Sequence, residues 1–142
     1  MRKNSTLCGF GVLVFIATVP TFVTKLGHTE VRARTVTVCS LVTAPKQFNG
    51  ILISVSGQYR SDGIEREGLF DSSCKDAGIG LIIPANAIGK EKLQAALSSG
   101  APGTLDKVIT GTFVGVFYWN ADGHPPRSLI VQRMSSITVH HQ

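Results

Sequence analysis

Gly50-Ile51-Leu52-Ile53-Ser54-Val55-Ser56-Gly57-Gln58-Tyr59-Arg60 is the stretch on which the fold turns. In an extended chain successive side chains point to opposite faces. Ile51, Ile53, Val55, Gly57 and Tyr59 then share one face, and Leu52, Ser54, Ser56 and Gln58 share the other. One face is apolar and the other mostly polar, which is the pattern of a half-buried strand. Gly57 falls inside the run, where a residue without a side chain permits a sharp bend at a barrel corner. The stretch therefore predicts the long, bent first strand of a small β-barrel.

Downstream, residues 61–68 are polar and glycine-containing and predict a hairpin loop. Leu69-Phe70-Asp71 begins a short second strand that delivers Cys74. Residues 78–83 form a third strand, closed by Pro84. Residues 85–99 change period: Asn86 can cap a helix, and Ile88, Leu93, Ala96 and Leu97 approximate one helical face. Residues 98–103, rich in Ser, Gly and Pro, stop it. Residues 108–119 predict a fourth strand with Gly111 and Gly115 along it, residues 120–126 a turn, and residues 128–139 a fifth strand, leaving 140–142 as a tail. Upstream, residues 36–42 suit either a short strand or a turn of helix, ended by Thr43-Ala44-Pro45. Residues 46–50 predict a turn, with Asn49-Gly50 supplying positive φ. The expected fold is mainly β. Its element order matches an OB-like five-stranded Greek-key barrel with one helix between strands 3 and 4.

Arg2 and Lys3 precede an apolar run over residues 7–23. A positive start and such a run have the form of a secretory signal. Pro20 breaks the run near its end, and cleavage fits after Thr21 or after Ala33. The alternative is an uncleaved anchor helix in the inner membrane, since the run is near the lower length limit for spanning a bilayer. Two regions result: 1–33 as signal peptide or anchor, and 34–142 as the barrel domain. The expected location is exported, periplasmic or extracellular, with membrane contact only through residues 7–23 if they are retained.

The chain has 142 residues and a formal net charge of +5. Residues 1–33 carry Arg2, Lys3, Lys25 and Arg32 against Glu30, or +3, and residues 34–142 carry the remaining +2. A near-neutral domain argues against nucleic-acid binding, which needs clustered positive charge. Cys39 and Cys74 are the two cysteines of residues 34–142. An even count in an exported domain predicts one disulfide. A metal or redox pair is the alternative, but no Cys-x-x-Cys and no further nearby ligands accompany them.

Val38-Cys39-Ser40-Leu41, Pro45, Phe48, Gly50, Val55, Gly57 and Leu69-Phe70-Asp71-Ser72-Ser73-Cys74 together resemble small exported bacterial proteins of uncharacterised function with an OB-fold-like domain. The resemblance implies an exported barrel and a Cys39–Cys74 bridge. It implies no reaction.

No catalytic motif is present. Ser72 and Ser73 lack a Gly-x-Ser-x-Gly context, and Glu65 and Glu67 sit in a polar loop. His124, His140 and His141 offer no metal-binding spacing, and neither metal nor cofactor is expected. Tyr59, Phe70, Phe113, Phe117, Tyr118 and Trp119 fall on expected strands, with Arg60, Arg127 and Arg133 near them. Most such rings fill a core. Tyr59, Tyr118, Trp119 and Arg127 are the expected ligand-binding set, because a strand end beside a turn makes an aromatic platform. The function expected is a non-enzymatic exported module that binds a small molecule, a glycan or a protein partner. The alternatives are a single-stranded nucleic-acid-binding domain and a small hydrolase without a recognisable motif.

Overall fold

The computed structural model describes residues 32–62, 67–74, 77–101 and 103–141. Residues 1–31 of the expected signal or anchor, 7–23 included, lie outside the described residues.

Strand β1 (Arg34–Thr37) leads into helix α1 (Val38–Thr43). Thr37 caps the helix, its hydroxyl accepting from the Ser40 amide at 3.1 Å. Val38 and Leu41 of α1 are fully buried. A 3₁₀ turn spans Pro45–Phe48. The expected Asn-Gly turn follows it: Asn49 has φ −59° and ψ 124°, Gly50 has φ +74°, and the Ile51 amide donates to the Phe48 carbonyl at 3.0 Å. Those angles are a type II turn, whose third position favours glycine.

Strand β2 (Leu52–Ser61) has the faces its sequence implies, with Ile53, Val55 and Tyr59 buried. Along one edge it pairs with β5 (Lys107–Trp119), antiparallel, from Leu52↔Val116 to Tyr59↔Ile109. Along the other edge it pairs first with β1, parallel, up to Thr37↔Ser56, and then with β3 (Glu67–Phe70), antiparallel, from Gln58↔Phe70. Gly57 stands at the changeover. A Cβ there would come within 2.7 Å of the Phe70 carbonyl oxygen, so only glycine lets the two backbones approach this closely.

Strand β4 (Gly78–Ile82) pairs antiparallel with β3 and parallel with β6 (Arg127–His141). β6 runs antiparallel to β5, and β5 returns to β2. The cycle β2-β3-β4-β6-β5 closes a five-stranded barrel, with β1 added outside it. Closure removes most of the unpaired edge that an open sheet would present. Ile53, Val55, Tyr59, Leu69, Ile79, Ile109, Phe113, Phe117, Leu129 and Val131 fill the interior.

Helix α2 (Lys90–Ser98) lies between β4 and β5 in the chain and buries Leu93 and Ala96. It starts later than the 85–99 pattern suggests. Ile88 is instead extended: its amide donates to the Gln132 carbonyl at 2.9 Å, and its carbonyl accepts from the Met134 amide at 2.8 Å. Gly89, at φ +85°, turns the chain where a Cβ would strike the Met134 carbonyl. Asn86 therefore does not cap the helix. The C-terminal end of α2 is satisfied by a buried lysine. The Lys107 ammonium donates to the Leu97 carbonyl at 3.1 Å and to the Ser99 carbonyl, with an Asp106 oxygen 3.6 Å away. A cation at a helix C-terminus meets both its orphan carbonyls and the negative end of its dipole. The expected tail 140–142 is also corrected in part: His140 and His141 continue β6 opposite Val108 and Lys107.

Candidate functional site

The outer face of β3 and β4 is nearly bare of side chains. Gly68 stands opposite Gly80, and Phe70 opposite Gly78. The Phe70 ring lies back over its glycine neighbours: a Cβ on Gly78 would be 2.6 Å from the ring, and one on Gly68 2.8 Å. Pro125, from the loop 120–126 between β5 and β6, covers Gly80 in the same way. On β2, Arg60 places its guanidinium carbon 4.9 Å from the Phe70 centroid. Its terminal nitrogen donates to the Gln58 side-chain oxygen at 3.4 Å. The result is a layered stack of glycine backbone, phenyl ring and guanidinium. The cation–π contact holds the guanidinium plane over the ring. A groove of about 650 Å³ opens here, walled by Arg60, Asp62, Glu67, His124 and Pro125. Its volume falls in the range of small-molecule sites.

A second groove, of about 480 Å³, lies on the adjoining face of β2 and β5 and is lined by Ser56, Gln58, Thr110 and Thr112 among others. Phe70 lines both grooves. Here, besides the Phe70 ring and the Asp71 carboxylate, the side chains are hydroxyls and one amide. Ser56 Oγ and Thr112 Oγ1 are 2.8 Å apart, and Thr110 Oγ1 and Thr138 Oγ1 are 2.6 Å apart.

The four expected binding residues are not gathered in either groove. Tyr59 is inside the barrel, 0 % exposed, with its ring stacked on Phe113 at 6.4 Å. Burial, and then the negative charge of Glu67, push its hydroxyl pKa well above the usual 10.0. It is a core ring with no exposed surface, because the face it shares with Ile53 and Val55 points inward. Tyr118 is 45 % exposed on the outer face of β5. Trp119 is half-buried against the core, with the Lys46 ammonium 5.0 Å from its ring centre. Its amide donates to Asn49 Oδ1 at 3.0 Å. Arg127 stands opposite Trp119 in the β5–β6 register and donates to the Val42 carbonyl at 3.3 Å. Trp119 and Arg127 thus tie the strand ends to α1 and the turn after it.

Arg60 and Phe70 were visible in the sequence as an arginine and a ring on strands, without a reason to prefer them. The signal that singles them out is the glycine spacing around Phe70, with Gly68 before it and Gly78-x-Gly80 after it. That spacing clears one face of a hairpin except for one ring.

Cys39 of α1 and Cys74 of the short turn Ser72–Cys74 form a disulfide, with Cα atoms 5.4 Å apart. Asp71 lies beside it, and one of its oxygens accepts from the Ser73 amide at 2.9 Å and the Ser73 hydroxyl at 2.7 Å. These bonds, the hydroxyl's first, hold the Asp71 carboxyl below its ordinary 3.8. The two sulfurs and an Asp71 oxygen fall within 4.8 Å of one another. Sulfurs bonded to each other are not thiolates, so this cluster is a bridge with a polar neighbour rather than a ligand set.

No family model, curated protein or solved structure matches this chain. Among the described residues no helix is long and apolar enough to cross a membrane.

Proposed function

We propose that this chain is an exported, non-enzymatic binding domain on an OB-like barrel, and that its ligand lies in the groove over β3 and β4. The strand cycle, with α2 between β4 and β5, supports the OB-like reading. Folds of that kind bind on this sheet face and in the loops beside it. A disulfide fits an oxidising compartment, and the apolar run over residues 7–23 supplies a route to one.

The observation that carries the proposal is the Arg60–Phe70 layer over bare glycine backbone. Building it leaves three strand positions without side chains, each a cost to strand stability. What it creates is a flat polar plane beside an open wall. Asp62 and Glu67 share that wall with Arg60, so the balance of charge opposes a polyanion. The part of the ligand that meets this layer presents a flat face with polar edges.

Screening small aromatic and saccharide probes against the oxidised domain by amide chemical-shift mapping tests this. Shifts should cluster at Arg60, Gly68, Phe70, Gly78 and Gly80. Phe70→Ala and Arg60→Ala should each weaken binding about tenfold, the equivalent of losing one desolvated stacking contact. Trp119→Ala should leave affinity unchanged. Binding lost with Trp119→Ala but not with Phe70→Ala would move the site to the Tyr118–Trp119 strand end and sink the groove.

A further inference from the structure

Resting on that reading of the groove, we infer that the ligand is an uncharged oligosaccharide chain that continues from the Arg60–Phe70 layer across Gln58 onto the hydroxyl face of β2 and β5. Three observations meet here. The first is continuity: Phe70 lines both grooves, and Gln58, which bonds Arg60, lines the second.

The second is the kind of polar group. Ser56 and Thr112 face each other in register, as do Gln58 and Thr110. In each bonded hydroxyl pair, Ser56 with Thr112 and Thr110 with Thr138, one proton lies between the two oxygens. Each pair therefore keeps one donor and three acceptor positions for an outside partner. The Gln58 amide adds donors and an acceptor of its own. Groups that both donate and accept match a ligand whose groups do the same, and sugar hydroxyls do. An anion would ask for donors alone, and a cation for acceptors alone.

The third is charge and shape. The carboxylate in the second groove is Asp71, and one of its oxygens already serves Ser73 twice. The neutral positions repeat at the strand period, about 4.8 Å across strands and about 6.8 Å along one. Phe70 and Pro125 supply apolar planes against which the C–H face of a sugar ring can lie. Successive units of a chain then meet plane, amide and hydroxyl pair in turn.

The test is calorimetric titration of the oxidised domain with cellulose and chitin oligosaccharides of increasing length, from disaccharide to hexasaccharide. Affinity should rise with length, by about tenfold over the series, the worth of one or two neutral hydrogen bonds. The double variant Ser56→Ala/Thr112→Val removes both members of a pair, so no buried group is orphaned and the thermal midpoint should hold. It should bring the hexasaccharide down to the affinity of the disaccharide. Affinity independent of length, or a length gain that survives the double variant, overturns the inference. If no saccharide binds while another probe shifts Arg60 and Phe70, the inference falls and the groove stands. If saccharides bind equally well to Phe70→Ala, the groove reading falls with it.

Discussion

β5 and β6 run 13 and 15 residues, while β3 and β4 run 4 and 5. The long pair alternates strictly along β5, with Ile109, Phe113 and Phe117 inward and Thr110, Thr112 and Tyr118 outward. The short pair keeps Leu69, Ile79 and Leu81 inward but gives most of its outer positions to glycine. The same ladder of hydrogen bonds is thus used in two ways. In β5–β6 it carries side chains that fill the core. In β3–β4 the outside carries only Phe70 and, at the end of β4, the exposed Ile82, and Arg60 from β2 and Pro125 from a loop furnish the rest of the wall.

Two phenylalanines separate these roles. Phe113→Ala empties the middle of the core and should cost about 4 kcal/mol, read as a large fall in the denaturant midpoint. The partly exposed Phe70→Ala should cost under about 1 kcal/mol, while weakening binding of the proposed ligand about tenfold. Equal costs would mean that β3–β4 is part of the stabilising frame and would end the distinction.

The disulfide tests how far the short pair depends on help. Cys39 and Cys74 close a loop at a sequence separation of 35, so Cys39→Ser or reduction should cost about 4 kcal/mol in the chain-entropy model. The loss should fall first on β3 and β4, seen as faster amide exchange at Leu69 and Ile79 than at Phe113 and Phe117. Uniform loss would show that the barrel opens as one unit.

Lys107, 2 % exposed, anchors α2 to the start of β5. Lys107→Ala strips the donor from the Leu97 and Ser99 carbonyls and should cost about 2 kcal/mol, or roughly 7–9 °C in the thermal midpoint of a domain this size.

The smallest effect is electrostatic. Asp71 has its folded-state pKa lowered by the Ser73 hydroxyl and amide. Its contribution is present above the unfolded value and is lost as pH falls through the lowered folded one. Stability should therefore decline below about pH 4, and Asp71→Asn should flatten that part of the profile. An unchanged profile would assign the acid sensitivity elsewhere, with Asp106, lowered chiefly by the Ala101 amide, as the next group to change.

Much of the frame was legible because period-2 alternation is a local signal. Ile53, Val55 and Tyr59 declared their face from spacing alone, and the strands after them were found within a few residues. The start of α2 was not legible. Asn86 and Ile88 fit a helical pattern, but Ile88 is claimed by the backbone of Gln132 and Met134, a contact between segments far apart in sequence. Tyr59 shows the limit for sites. Its ring belonged to the inward set all along, and parity already excluded it from a surface platform. Phe70 and Arg60 were hidden for a different reason. Their stack needs β2, β3 and β4 side by side in one register, and no single segment encodes that.

The bridge between Cys39 and Cys74 also decides how the molecule bears load. β1 is held to the barrel along one edge, by parallel pairs from Arg34↔Ile53 to Thr37↔Ser56. Tension applied at Arg34 strains those pairs first. Two residues past β1 the load reaches Cys39 and passes through the sulfurs to Cys74, just beyond the end of β3. A tether on that side of the chain therefore tugs at the rim of the groove as well as at the buried Val38, and a reductant disconnects the rim.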